Sequence, residues 1–272
     1  MSKKVFIGVG HGGADSGAAA NGFKEKDLNL AIALVVRDEL TRHGVTVQMS
    51  RTKDEADPLS AEIKECNAFH PDLALDIHNN AGGGDGAEVF HTVGGGTGKT
   101  LAQNILDAIV AIGQNSRGLK TKKNAAGKDY FGFIREIKAP SVIVECAFVD
   151  NKTDVQIIAT AAKQKAMGTA IAKGVLKTLG IAYKAETVQS TAPTAKPSQS
   201  AAPSATGVLY KVTGDWCWIR KGAGTNYAKN GKVYKGQVYT IMEVKSGTGS
   251  KAGWGRLKSG AGWISLDFCK KK

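Results

Sequence analysis

Two histidines and two glutamates stand where apolar runs give way to polar residues. His11 follows KVFIGVG, His78 closes DLALDIH, Glu145 falls near the end of SVIVECAFV, and Glu25 lies in NGFKEKDLNL just ahead of an amphipathic run. Two imidazoles and one carboxylate are a known ligand set for catalytic zinc, with a fourth position left for water. The remaining carboxylate, Glu145, is then free as a base. Zinc lowers the pKa of bound water from ~15.7 toward ~7 and polarises a carbonyl, which serves hydrolysis of an amide or ester. A lone histidine on a strand is more often a structural residue. Four such residues converging on one sheet edge shift the balance. The glycines of GHGGADSG around His11 suit a tight turn that passes close to a metal or substrate.

The elements that must position these residues follow from hydrophobic periodicity. Strands are expected at KVFIGVG, VTVQMS, DLALDIH, AEVFHTV and SVIVECAFV. Helices are expected at DLNLAIALVVRDELTRHG, PLSAEIKECNAFH and KTLAQNILDAIVAIG, with one or two more closing the run TDVQIIATAAKQKAMGTAIAKGVLKTLG. Strands alternating with helices imply an α/β fold, a mostly parallel sheet with helices on both faces, whose ligands bind beyond the carboxyl ends of the strands. Residues 184–206 are rich in Ala, Ser, Thr and Pro and read as an extended linker. Beyond it, short β-branched and aromatic runs with glycines between them, and all four tryptophans, read as a small all-β barrel. The expected division is 1–183, a linker at 184–206, and 207–272.

Composition narrows the function further. The formal net charge of +13 is uneven: residues 1–183 are nearly balanced, whereas 207–272 hold 13 Lys and Arg against three Asp and Glu. The C-terminal part is therefore expected to meet an anionic surface. Four cysteines without C-x-x-C spacing argue against a zinc knuckle or a disulfide framework, although Cys217 and Cys269 would approach each other on neighbouring strands. No run is long enough to span a bilayer and no secretory segment opens the chain, so synthesis in the cytoplasm without an export signal is expected. VGGGTGKT imitates a phosphate-binding loop, but the position that requires its first glycine holds Val93, and a turn is the better reading.

At HGGADSGA, NGFKEKDLNLAIA, SRTKD, DIHNNA and VIVECAFVDN the sequence resembles the zinc-dependent N-acetylmuramoyl-L-alanine amidases of bacterial peptidoglycan, over residues 1 to about 181. The resemblance implies that one zinc ion is held by His11, Glu25 and His78. It also implies that Glu145 activates water and passes the proton to the leaving amine. Asn79 departs from the small residue usual after the histidine and is expected at the rim of the cleft. His43, His70 and His91 match no ligand position, His91 being the one rival kept because it ends the strand after His78. Arg51 is read as a substrate contact or as an ion pair steadying the sheet edge. Residues 207–270 resemble bacterial SH3-like domains in WCWIRKGAGTNY, KGQVYTIMEV, WGRL and AGWISLDF, with Ile219 for Val and Ala223 for Pro. Trp216, Trp218, Tyr227, Tyr234 and Tyr239 are candidate wall contacts. Together these imply a phage-type endolysin or a host autolysin whose partner is peptidoglycan, with other anionic wall polymers bound through the basic C-terminal part. A non-catalytic wall-binding protein is the reading from another class, and no nucleic-acid or membrane partner is expected.

Overall fold

The computed structural model describes residues 2–185, 207–258 and 260–272, which belong to two compact units divided between residues 189 and 190. From residue 186 onward, the linker read at 184–206 lies outside the described residues.

The first unit runs β1 (Lys4–Val9), β2 (Ala19–Ala20), β3 (Phe23–Lys24), α1 (Glu25–Arg42), β4 (Thr46–Met49), α2 (Leu59–Phe69), β5 (Leu73–Asn80) and β6 (Ala87–His91). It continues with α3 (Gly96–Val110), β7 (Ser116–Lys120), α4 (Gly132–Glu136), β8 (Ser141–Phe148), a 3-10 turn at Asp154–Ile157 and α5 (Ala161–Thr178). Six strands form one sheet in the order β4-β1-β5-β8-β6-β7, parallel throughout except where β6 meets β8. Val5, Ile7, Ile77, Val142 and Val144 point to one face, where α1, α3 and α5 cover them in the larger core. Phe6, Ala74 and Ile143 point to the other, where α2 and the short α4 give a smaller core. Apolar residues on both faces explain why these strands read as continuous hydrophobic runs.

Three details differ from the periodicity. The hairpin of β2 and β3 is too short to show as a strand pattern, but its signal is Asn21-Gly22, both with positive φ (52° and 82°), as a two-residue type I′ turn requires. The helix read as starting at Asp27 starts at Glu25, so this glutamate belongs to the first helical turn. VGGGTGKT is only partly a turn, since α3 already begins at Gly96. Among the described residues no helix is long and apolar enough to cross a membrane.

The second unit runs β9 (Val208–Val212), β10 (Trp216–Arg220), β11 (Lys229–Tyr234), β12 (Val238–Gly247), β13 (Ser250–Leu257), β14 (Trp263–Ser265) and β15 (Cys269–Lys271). These form one antiparallel sheet in the order β11-β10-β14-β13-β12-β9-β15, closed on a core of Val212, Cys217, Val233, Ile241, Leu257, Ile264 and Leu266. Trp254 and Trp263 are buried, whereas Trp216 is exposed. Cys217 and Cys269 are free thiols, and both contact the Ser265 carbonyl.

Close packing of α5 on α3 depends on Gly174, where an added Cβ would lie 2.5 Å from Ile105 Cα. Gly174→Ala should therefore destabilise the protein by about 1–3 kcal/mol through overpacking, although alanine is the better helix former by roughly 1 kcal/mol. Denaturant unfolding checks this, and equal or greater stability would contradict the packing.

Candidate metal centre

His11, Glu25 and His78 are brought together from three separate segments, with one ligand atom of each within 4.8 Å of the others. Glu25 sits between the two rings. Its Oε2 lies 3.2 Å from His11 Nε2 and its Oε1 lies 3.1 Å from His78 Nδ1. The rings meet edge to face at 5.2 Å. Glu145 is the direct neighbour of His78 in the β5–β8 register, so their side chains share a sheet face. Its Oε2 is buried with no hydrogen-bond partner among the described residues. All four residues singled out from the sequence thus lie at the carboxyl ends of β1, β5 and β8 and at the start of α1.

The rings fit because glycines make room. Phe6, Gly8 and Gly10 alternate onto the site face, and a Cβ on Gly10 would fall 2.1 Å from the His78 ring. A Cβ on Gly17 would collide with both Glu25 and His11. His11 itself takes a left-handed φ of 62°, a conformation rare for a non-glycine residue and characteristic of functional sites held by their surroundings.

A polar brace supplies that hold. The Arg51 guanidinium is buried and donates to the carbonyls of Val9, Gly10, Lys26 and Lys53, so among the described residues its partners are backbone carbonyls in place of the ion pair read from the sequence. Carbonyl oxygens left exposed by the irregular His11 loop are what a planar five-donor fork can satisfy. Asp54 accepts from the Gly13 N–H and from Lys26 Nζ, which also donates to Gly13 O. On the other side Asn29 donates to Gly10 O, and Asn79 donates to Asn29. Asn79 is buried, and its own backbone N–H donates to Glu25 Oε1, so it lies beneath the carboxylate instead of at the cleft rim. In the strand its side chain points opposite to that of His78. The loop after β5 is held in turn by Asp150, which accepts from the Gly82 and Gly83 N–H groups.

The electrostatics follow from this packing. Burial alone would raise the Glu25 pKa, but His11 and His78 hold the carboxyl far below its usual range. His11 is raised chiefly by Glu25, against burial. His78 is raised well above its usual value because Asp76 and Glu25 outweigh burial. Glu145 is pushed up to about 7, mainly by burial, with Glu25, Asp76 and Glu88 adding to the effect against His78. A carboxylate flanked by two imidazoles suits a divalent cation that prefers nitrogen and oxygen donors, and binding one would displace the protons that the raised histidine pKa values retain.

A cleft of about 520 Å³ opens beside the two histidines, with Leu59, Phe131 and Phe133 on its apolar wall and Asp57, Glu62 and Asp76 on its acidic side. Sequence reading missed this acidic group. Glu62 lies within a helix and Asp76 in an apolar strand, and only the fold shows that they share one face. Burial, together with Asp76 and Asp57, raises the Glu62 carboxyl well above its ordinary range. The other histidines serve elsewhere. His43 stacks on Tyr183, His70 takes the left-handed position after α2, and His91 contacts Thr92 O.

The N-acetylmuramoyl-L-alanine amidase family model matches residues 5–177. The amidase CwlM of Bacillus licheniformis is 33% identical over 186 residues, covering 67% of this chain and 71% of that protein. The endolysin of Bacillus phage SPP1 is 31% identical over 269 residues, covering 96% and 94% respectively. Among solved structures, the N-acetylmuramoyl-L-alanine amidase AmiC2 of Nostoc punctiforme superposes with a TM-score of 0.60 at 29% identity, over 65% of this chain and 97% of that one.

The Glu145 carboxyl gives a pH-dependent prediction for metal-free protein. Because its folded pKa of about 7 exceeds the ordinary 4.5, its burial is without penalty below about pH 4.5 and destabilises the fold increasingly as pH rises toward 7. Glu145→Gln removes that penalty. The variant should be more stable than the parent at about pH 8, by up to about 2–3 kcal/mol, with the gap closing by about pH 4. Denaturation with chelator present reads this directly, and a pH-independent gap would contradict it.

Proposed function

The chain belongs to the N-acetylmuramoyl-L-alanine amidase family, and from that membership we propose that it cuts the amide between N-acetylmuramic acid and L-alanine of peptidoglycan with zinc at His11, Glu25 and His78. The observation that carries this reading is the cluster of three ligand atoms within 4.8 Å, with Glu145 paired beside His78. When bound there, zinc supplies Lewis-acid polarisation of the scissile carbonyl and acidifies water.

The remaining work falls to side chains. Glu145 takes a proton from the attacking water and delivers it to the departing alanine nitrogen. A pKa near 7 suits a group that must both accept and return a proton at neutral pH. Glu25 and the two histidines keep their geometry through the brace of Arg51, Asp54 and Asn29. The apolar wall of Leu59, Phe131 and Phe133 excludes water from one side of the substrate.

The C-terminal unit is an SH3-like wall-holding domain in this reading, tethered so that the catalytic unit stays concentrated at the wall. Support comes from its ten excess positive charges and from an aromatic-basic surface. Exposed Trp216 packs on Trp218, and Lys232 Nζ lies 4.3 and 4.6 Å from the two ring centroids. An anionic wall polymer complements that surface, and neither nucleic acid nor membrane enters the scheme. Likeness to a phage endolysin along nearly the whole of both chains favours an endolysin, synthesised in the cytoplasm and acting at the wall, over a host autolysin.

Digestion of purified peptidoglycan should release new L-alanine amino termini without new reducing ends, and chelation should abolish the release. Amino termini of another residue would move the cut into the stem peptide, and no new ends would favour a binding protein. Glu145→Ala should keep zinc and lose turnover by at least ~100-fold, whereas His78→Ala should lose both; equal zinc loss would overturn the role of Glu145. Retention of the full chain on walls should fall with added salt if charge holds it there.

A further inference from the structure

We propose that Asp76 is the positioning residue of His78, fixing the imidazole with its proton on Nε2 and its Nδ1 turned toward Glu25 and the metal. The inference rests on the zinc-site reading but concerns a residue that itself belongs to neither the ligand set nor the base.

His78 has two ring nitrogens and two carboxylate neighbours. Nδ1 lies 3.1 Å from Glu25 Oε1, and Nε2 lies 3.1 Å from Asp76 Oδ2. Nδ1 is the nitrogen on the side where His11 and Glu25 converge, so a metal held there takes its lone pair and the one proton left on the neutral ring falls on Nε2, which faces Asp76. Asp76 and His78 are two residues apart on β5, so strand geometry places both side chains on one face.

The carboxylate of Asp76 is enclosed by packing, its Oδ1 buried without a hydrogen-bond partner among the described residues. It is 4% exposed, and its strand is paired on both sides, with Gly8 and Ile143 as register partners. Its second oxygen, Oδ1, faces the Cα of Gly8, where an added Cβ would fall 2.8 Å away, and Glu62 Oε1 crowds the same spot at 2.3 Å. Any side chain at position 8 would have to displace Glu62 or Asp76. His11 has a comparable partner in Asp15, 2.8 Å from its Nδ1, but the Asp15 side chain is 68% exposed. Water can replace Asp15 there. It has far less access to Asp76, so the burden of fixing a tautomer falls on the buried carboxylate. Outer partners of this kind typically govern metal affinity by about 10–100-fold.

The test uses the full chain, labelled with ¹⁵N-histidine and loaded with zinc, and reads the His78 tautomer from long-range ¹H–¹⁵N correlations. Zinc dissociation constants for the parent, Asp76→Ala and Asp76→Asn are measured by competition with a chromophoric chelator, with circular dichroism reporting the fold. The expected result is Nε2–H at His78 in the parent. Zinc affinity should weaken by about 10–100-fold in Asp76→Ala and by less in Asp76→Asn, whose amide oxygen still accepts from Nε2–H. Nδ1–H at His78 in the zinc-loaded parent would overturn the proposal, as would folded Asp76→Ala with parental zinc affinity. If Asp76→Ala does not fold, the parental tautomer and Asp76→Asn decide, an amide variant weaker than ~100-fold counting against a simple orienting bond. Failure of the parent to bind zinc would bring down the zinc-site reading as well, whereas zinc binding that ignores Asp76 overturns this inference alone.

Discussion

One buried carboxylate between two imidazole rings is the constraint around which the N-terminal unit is arranged. Glu25 is 4% exposed and has a histidine on each oxygen, so its charge is stable only while both rings stay in place. Removing one partner from such a set leaves a desolvated charge unpaired, which is far more costly than losing a surface ion pair. The position of Glu25 in the first turn of α1 helps, because the helix dipole favours an anion there. No side chain caps that helix. Instead the Glu25 and Lys26 N–H groups donate to Ala18 and Ser16 carbonyls of the preceding loop, which ties the helix start to the segment carrying His11.

Building the centre from three chain segments creates irregular backbone with unsatisfied polar groups, and the structure answers with polar side chains, some buried and some at the surface. Arg51, Asn29 and Asp54 serve the His11 loop; Asp150, Asn151 and Asp154 serve the loop that follows β5. These residues carry no chemistry of their own. They allow two loops to stand at fixed positions beside a cleft, which glycine-rich segments would not do unaided. The uneven helical cover completes the arrangement. Three helices seal one face of the sheet, while α2 and the short α4 cover less of the other and leave its carboxyl edge open to a polymeric substrate.

Much of this was legible in the sequence where periodicity and motif agreed. The strands ending at His11, His78 and Glu145 and the alternation of strands with helices were readable because buried parallel strands leave long apolar runs. Residues that fold back on the site from a distance were less so. Arg51 looked like a charge seeking a charge, whereas its partners are backbone carbonyls, which no sequence pattern marks. Asn79 looked like a rim residue because it follows His78, yet the two-residue strand repeat sends it to the opposite face. His91 ends a strand as His78 does, but β6 runs antiparallel to β8, so its end lies away from the cluster.

The sequence by itself determined the four candidate residues of the metal centre, the mostly parallel sheet and the basic character of the C-terminal unit. Residue type, hydrophobic period and charge are local properties, and each is written in consecutive positions. Only the tertiary structure decided which nitrogen of His78 faces Glu25, that Gly8 and Gly10 exist to admit other side chains, and that Asp76 and Glu62 share an acidic wall. Those facts depend on register between strands and on the direction of side chains across a sheet. Both are fixed by long-range pairing, and no stretch of the chain contains them on its own.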